Sequence, residues 1–312
     1  MIEVENLSRA YGDCRAVDGV SFEIPAGQIV GLLGHNGAGK TTVMKMLSGY
    51  LEPSGGSITI AGLDLADNTL AVQDQLGYLP ENLPIYTDMG VADYLHFAAT
   101  LKGLQGEELK SALRRVIRDT ELQGKLINPI ATLSRGYRQR VGVAQAILGS
   151  PKVLILDEPT NGLDPNQTQH MRDLIQAMSA TATVILSTHI MQEVDAICDR
   201  VLILRDGQLA LDETLDSLRS AVALQVKTSL TTARLQELLP TLQINSCGDH
   251  YSIGLPPGDD LDRAAALNKA AALIATTISQ DGGQLFYLAP EVRDLETVFR
   301  EVSLREEVSH AA

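Results

Sequence analysis

The 312-residue chain predicts an α/β fold with an N-terminal antiparallel β subdomain, a buried and mostly parallel sheet, a helical subdomain and a small C-terminal α+β domain. Three observations predict it. Short apolar runs lead into polar residues in "KVLILDEP", "TVILSTH" and "VLILRDGQL", with a helical segment before each of the last two, as in strands buried on both faces. Between about Val91 and Leu148 apolar residues recur at helical spacing instead. After roughly Ser217 there is no further glycine-rich loop, and strand-like and helix-like stretches alternate.

From Ile2 to Ile60 the runs "VSFEI", "QIVGLLG" and "SITI" are separated by the turn signals "YGD", "PAG" and "PSGG", with one helix beginning at Gly39. Val91, Tyr94, Leu95, Ala98 and Leu101 form one helical stripe, and Leu113, Val116 and Ile117 a second. Beyond them "ALQVKT", "HYSIGL" and "QLFYLA" read as strands, and "TTARLQELL", "DRAAALNKAAALIATTIS" and "VRDLETVFREV" as helices. "PPGDD" (Pro256 to Asp260) and "QDGG" (Gln280 to Gly283) are loops. The boundaries are then 1–217 for the first domain, with its helical subdomain at about 85–150, and 218–312 for the second.

Hydrophobic residues at 45%, charged residues at 21% and a net charge of −14 place the chain among soluble globular proteins. That acidity works against non-specific binding to nucleic acid or anionic lipid. Arg114, Arg115, Arg118 and Lys125 read as a solvated helix face. Cys14, Cys198 and Cys247 are scattered and lack metal-ligand or disulfide-framework spacing, which fits a reducing cytosol. The N-terminus carries acids where a secretory signal has a basic and an apolar segment, and no run of about 18 apolar residues occurs, so the chain itself is not expected to cross a membrane.

The chemistry is concentrated in a few stretches. In "GHNGAGKTT" the residues Gly34, Gly39, Lys40 and Thr41 fit G-x-x-x-x-G-K-[ST] between an expected strand and an expected helix, the context of a P-loop. Glycines let successive N–H groups turn toward phosphates, Lys40 reaches the β- and γ-phosphates, and the Thr41 hydroxyl takes a position on Mg²⁺. Gly34, Asn36, Gly37, Gly39, Lys40, Thr41 and Thr42 are the candidate phosphate contacts on this loop. In "VLILDE", Asp157 at a strand end can hold Mg²⁺ through its water shell, and Glu158 can orient and polarise an attacking water. "TLSRGYRQR" offers a second helix start with free N–H groups at Ser134 and Gly136.

The order "LSRGYRQRVGVAQAIL", "KVLILDEPTNGLDP", "ILSTH" resembles the ATP-binding subunits of ABC transporters over roughly Ile2 to Leu215. The resemblance implies the P-loop NTPase fold of the ABC ATPases, with ATP and Mg²⁺ as ligands. It implies two cassettes facing head to tail, as a homodimer or a hetero-pair, so that Ser134 and Gly136 hold the γ-phosphate of ATP bound to the partner chain. His189 is similar to the switch histidine on the γ-phosphate, Tyr11 to the aromatic that stacks on adenine, and Asp164 in "NGLDP" to the residue that crosses between the two sites. The family signature begins Leu-Ser-Gly-Gly-Gln, and here Arg135 and Tyr137 replace its first Gly and its Gln. Glu81 stands where a Gln usually reaches toward Mg²⁺ and water; it accepts hydrogen bonds and ligates a cation but cannot donate as an amide does.

"YLPE" together with "LSRGYRQRV" and the final "APEVRDLETVFREV" looks like the branch of ABC-2-type exporters that holds the gliding-motility-associated ATPases. This implies a separate transmembrane permease as partner, a seat on the cytoplasmic face of the cell membrane, and a groove between Glu81 and the helix near Val91 that receives a short helix of the permease. The alternative is an ABC-type regulatory or non-transport ATPase with low hydrolysis. A ribosome- or DNA-directed relative fits less well, because one cassette is present, Trp is absent and only four Phe occur. A GTPase is disfavoured because Asn268-Lys269 is followed by Ala-Ala rather than a guanine-reading acid.

Overall fold

The computed structural model describes residues 1–219, 223–254, 263–291 and 294–304. They divide into two compact units: Met1–Leu215, to which the end of the last helix from Val302 also belongs, and Asp216–Glu301. The expected loop at Pro256 to Asp260 lies outside the described residues.

The first unit opens with β1 (Ile2–Tyr11), β2 (Cys14–Ile24), β3 (Ile29–Leu33), α1 (Lys40–Leu47), β4 (Gly55–Ile60), β5 (Leu63–Asp64), α2 (Thr69–Asp74) and β6 (Leu76–Leu79). Next come α3 (Val91–Leu101), α4 (Gly106–Asp119), α5 (Arg135–Ala146), β7 (Val153–Asp157), α6 (Pro165–Ser179), β8 (Thr183–Ser187), α7 (Met191–Ile197), β9 (Arg200–Arg205) and β10 (Gln208–Thr214), followed by α8 (Leu215–Arg219), of which only Leu215 belongs to this unit. Its larger sheet has the order β10-β9-β3-β8-β7-β6, and every pairing from β9 to β6 is parallel. A smaller antiparallel sheet, β2-β1-β4-β5, aligns Ile2 with both Ile24 and Ile60.

Why the apolar runs are continuous rather than alternating is visible in where their side chains go. Leu154, Leu156, Val184 and Leu186 enter one core, shared with the helices α3 to α6. Val153, Ile155, Ile185, Val30 and Leu32 enter the other, shared with α1 and the antiparallel sheet. Successive residues of a strand point to opposite faces, so a strand covered on both sides must be apolar at every position. Each such Leu, Ile or Val contributes about 1.5–3 kcal/mol on burial. The expected strand "VLILRDGQL" is instead a hairpin: Asp206 and Gly207 have φ of 49° and 79°, the left-handed pair of a two-residue turn, and β10 returns antiparallel to β9.

The helical stripe through Val91, Tyr94, Leu95 and Ala98 is buried, whereas Leu101, read into it, is 71% exposed near the end of α3. The second unit contains β11 (Ala223–Thr228), α9 (Thr232–Leu238), β12 (Gln243–Cys247), β13 (His250–Gly254), α10 (Arg263–Gln280), β14 (Leu285–Glu291) and the start of α11 (Leu295–Leu304). Its antiparallel sheet, β12-β13-β11-β14, packs Leu224, Val226 and Ile253 against Leu235 of α9 and Ile274 and Ile278 of α10.

Candidate functional site

The turn between β3 and α1 is built by its glycines. Gly37 and Gly39 have φ of 87° and 101°, a backbone that side chains rarely adopt, and a Cβ on Gly39 would lie 2.6 Å from the Ala16 carbonyl oxygen. Lys40, only 9% exposed, donates to the carbonyl oxygens of Gly34 at 2.6 Å and His35 at 3.1 Å. Burial pushes its ammonium below the usual lysine range, while Glu158, Asp157 and Glu81 pull the other way.

Asp157 and Glu158 close the far wall. Asp157 ends β7 fully buried; its Oδ1 accepts the hydroxyl of Ser187 at the end of β8, and its Oδ2 is buried without a partner. Glu158 has φ of 52°, and its N–H meets both the carbonyl oxygen and the Oγ of Ser187, at 3.1 and 3.2 Å. A glutamate held in the left-handed region costs about 1–3 kcal/mol and persists where neighbours over-determine it. Its Oε2 lies 3.0 Å from Nδ1 of His189; a carboxylate can only accept, so Nδ1 carries the hydrogen in this pair. Burial raises the Glu158 carboxyl above the usual range, opposed by the His189 hydrogen bond and charge and by Lys40.

Asn36, Gly37, Gly39, Lys40, Thr41, Thr42, Glu81, Asp157 and Glu158 thus line one cavity of about 330 Å³. Gly34 adjoins it through the Lys40 bond. Tyr11 lies at the end of β1, 49% exposed, with the guanidinium of Arg9 5.0 Å from its ring centroid. Ser134, Gly136 and Asp164 are not on the cavity wall. They meet elsewhere: Ser134 caps α5, Asp164 caps α6 in a reciprocal pair with Gln167, and a Cβ on Gly136 would lie 2.3 Å from the Gln167 Oε1. The Arg135 side chain crosses Gly162 in the same corner.

Sequence reasoning missed Ser187 and Arg9. Ser187 was legible only as a polar residue ending an apolar run, and Arg9 shows no signal until strand β1 brings it over Tyr11. A second cavity of about 540 Å³ adjoins the first, sharing Thr41, Glu81 and Asp157 and extending past Tyr50, Tyr78 and Pro84 to Lys102. Near it Tyr86, 60% exposed, stacks edge-on with Phe97 and Tyr94, at centroid distances of 5.7 and 6.3 Å. Among the described residues no helix is long and apolar enough to cross a membrane.

A glycine-rich turn feeding a helix from β3 of a parallel sheet, with an acid at the end of β7 on the far side of β8, defines the P-loop NTPase class. The sequence profile described as ABC transporter matches residues 17–161. An ABC transporter ATP-binding protein of Methanocaldococcus jannaschii, itself uncharacterized, is 37% identical over 208 residues, covering 66% of this chain and 75% of that one. The linearmycin resistance ATP-binding protein of Bacillus subtilis is 32% identical over 238 residues, covering 76% of each. A solved ATP-binding subunit of an ABC transporter is 34% identical with a TM-score of 0.65, covering 70% of this chain and 92% of that one. The chain belongs to the ABC transporter family as an ATP-binding subunit, and it is an ATPase.

Proposed function

We propose that the protein powers an ABC-2-type exporter of the branch that includes the gliding-motility-associated ATPases. It works as a dimer of cassettes seated on the cytoplasmic face of a separate transmembrane permease. The linearmycin resistance relative supports an efflux role. The observation that carries the coupling half of this reading is the groove beside Glu81, flanked by the exposed Tyr86 and Phe97. An apolar rim with a few polar groups suits one face of a short permease helix.

In the hydrolytic site Lys40 and the loop N–H groups of Asn36 to Thr42 bind the β- and γ-phosphates, and Tyr11 stacks on adenine with its Arg9-free face. Thr41, Asp157 and Glu81 fit a magnesium ion: they share the cavity wall, and the buried, unpartnered Oδ2 of Asp157 is an acceptor in want of a cation or its water. Such an ion would neutralise phosphate charge. Glu158 orients and polarises the water that attacks the γ-phosphorus, the bond to the β-phosphate oxygen breaks, and ADP and phosphate leave. His189 and the partner's signature serine, equivalent to Ser134, stabilise the developing charge. His189, also off the cavity wall, bonds the wall residue Glu158, whereas Gly136 and Asp164 meet at Gln167 with Ser134 beside them; that separate grouping supports a site completed by a second chain.

Pull-down from detergent-solubilised membranes should recover a multi-span membrane protein, and that protein should raise the ATPase rate; recovery of ribosomes instead would overturn the transporter reading. Glu81→Gln should leave folding intact and change kcat or the Mg²⁺ optimum, because an amide donor is added and a charge lost beside the γ-phosphate. Identical kinetics and Mg²⁺ titrations for wild type, Glu81→Gln and Glu81→Ala would make Glu81 a plain surface-loop residue.

A further inference from the structure

Glu193, on α7, is 3% exposed, an unusual place for a carboxylate. Its Oε2 accepts two hydroxyls, from Thr160 at 2.5 Å and from Thr188 at 3.0 Å. Both threonines are themselves buried, at 4% and 0% exposure. Thr160 lies just after Glu158 in the turn in which the Asn161 N–H meets the Glu158 carbonyl oxygen at 3.2 Å. Thr188 immediately precedes His189, and its Oγ1 also accepts the Ile190 N–H at 3.1 Å. The two segments that carry the facing Glu158 and His189 are therefore joined at the strand ends by the Glu158 N–H on Ser187, in front by the 3.0 Å contact of the Glu158 and His189 side chains, and from behind through Glu193.

We propose that Glu193 is a positioning residue for hydrolysis: its buried carboxylate ties Thr160 to Thr188 and so fixes the distance and facing of Glu158 and His189. The physical need is local. Glu158 sits at φ of 52°, and Ser187 restrains it only through its N–H and from the side of Asp157. Without a restraint on the following turn the backbone can relax out of the left-handed region and carry the carboxylate away from its water. A shift of about 1 Å in a catalytic group costs about 10²-fold in rate while leaving ligand grip untouched. The proposal rests on the reading of Glu158 as the water-orienting acid.

The test is steady-state ATPase of the isolated full chain, with ATP affinity and thermal unfolding measured on the same preparations. Glu193→Ala should lower kcat by about 10- to 100-fold, with ATP affinity within about twofold of wild type, as expected for an interaction felt in the transition state. Glu193→Gln retains an acceptor oxygen and should restore most of the rate. Thr160→Val and Thr188→Val are near-isosteric, keep the test open if Glu193→Ala does not fold, and should each lower kcat. Thr160→Val added to Glu193→Ala should cost nothing more, since both break one link. A kcat within about twofold of wild type in folded Glu193→Ala, Thr160→Val and Thr188→Val, or parallel losses of kcat and ATP affinity in them, would overturn the proposal. Glu158→Gln run alongside separates the two readings. If it is inactive while the Glu193 and threonine variants are normal, the positioning role alone falls; if it is fully active, the assignment of Glu158 falls and takes this proposal with it.

Discussion

Replacing Glu158 with glutamine should leave ATP binding intact and slow hydrolysis by about 10²-fold or more, the range for losing a general base. The side chain keeps its shape and its contact with His189 Nδ1 through the amide oxygen, so the change is chemical rather than steric. What is lost is the negative charge that polarises the water. Because ATP then persists in the closed site, the variant should also accumulate as an ATP-dependent dimer on size-exclusion chromatography. Near-normal turnover would remove Glu158 from the role assigned to it.

The second large effect is expected at the cap of α5. Ser134→Arg places a bulky cation at a helix start that lies off the chain's own cavity wall, so it should abolish hydrolysis yet leave ATP binding to the variant's own P-loop nearly unchanged. Lys40→Ala should do the reverse, losing the buried ammonium and with it the phosphate grip. Mixing the two inactive proteins forms hybrid dimers in which one composite site has an intact P-loop from one chain and an intact signature from the other. Equilibrium binding of a fluorescent ATP analogue checks the first half of the expectation, and ATPase of the mixture the second.

How much of this was legible in the sequence follows from what each element buries. The strands β7 and β8 and the first half of the β9 hairpin announce themselves because both of their faces are covered, which forces unbroken apolar runs. β12 does not: in "QINSC" only Ile244 is buried, since the strand lies at the edge of its sheet, and nothing apolar marks it. β6 is four residues in "LGYL", too short for periodicity to register. The cavity residues could be named because a P-loop and a strand-end acid carry their chemistry in local order. Glu193 could not be, because a glutamate early in a short helix reads as a solvated first-turn acid favoured by the helix dipole. Only the folding of two separate loops over α7 turns it into a buried acceptor for Thr160 and Thr188.

The central claim is that one chain's signature closes on the other chain's nucleotide, and a crosslink between chains tests it most directly. On a background with Cys14, Cys198 and Cys247 replaced, Ser134→Cys and Asn36→Cys are introduced in separate chains and the two proteins are mixed. Asn36 is preferred to Gly37, whose φ of 87° disfavours any side chain. The site proposed here predicts that ATP with Mg²⁺, in the presence of Glu158→Gln to prevent turnover, strongly promotes a disulfide between Ser134→Cys of one chain and Asn36→Cys of the other, and that ADP does not. A crosslink that forms equally without nucleotide, or no crosslink at saturating ATP, would contradict it.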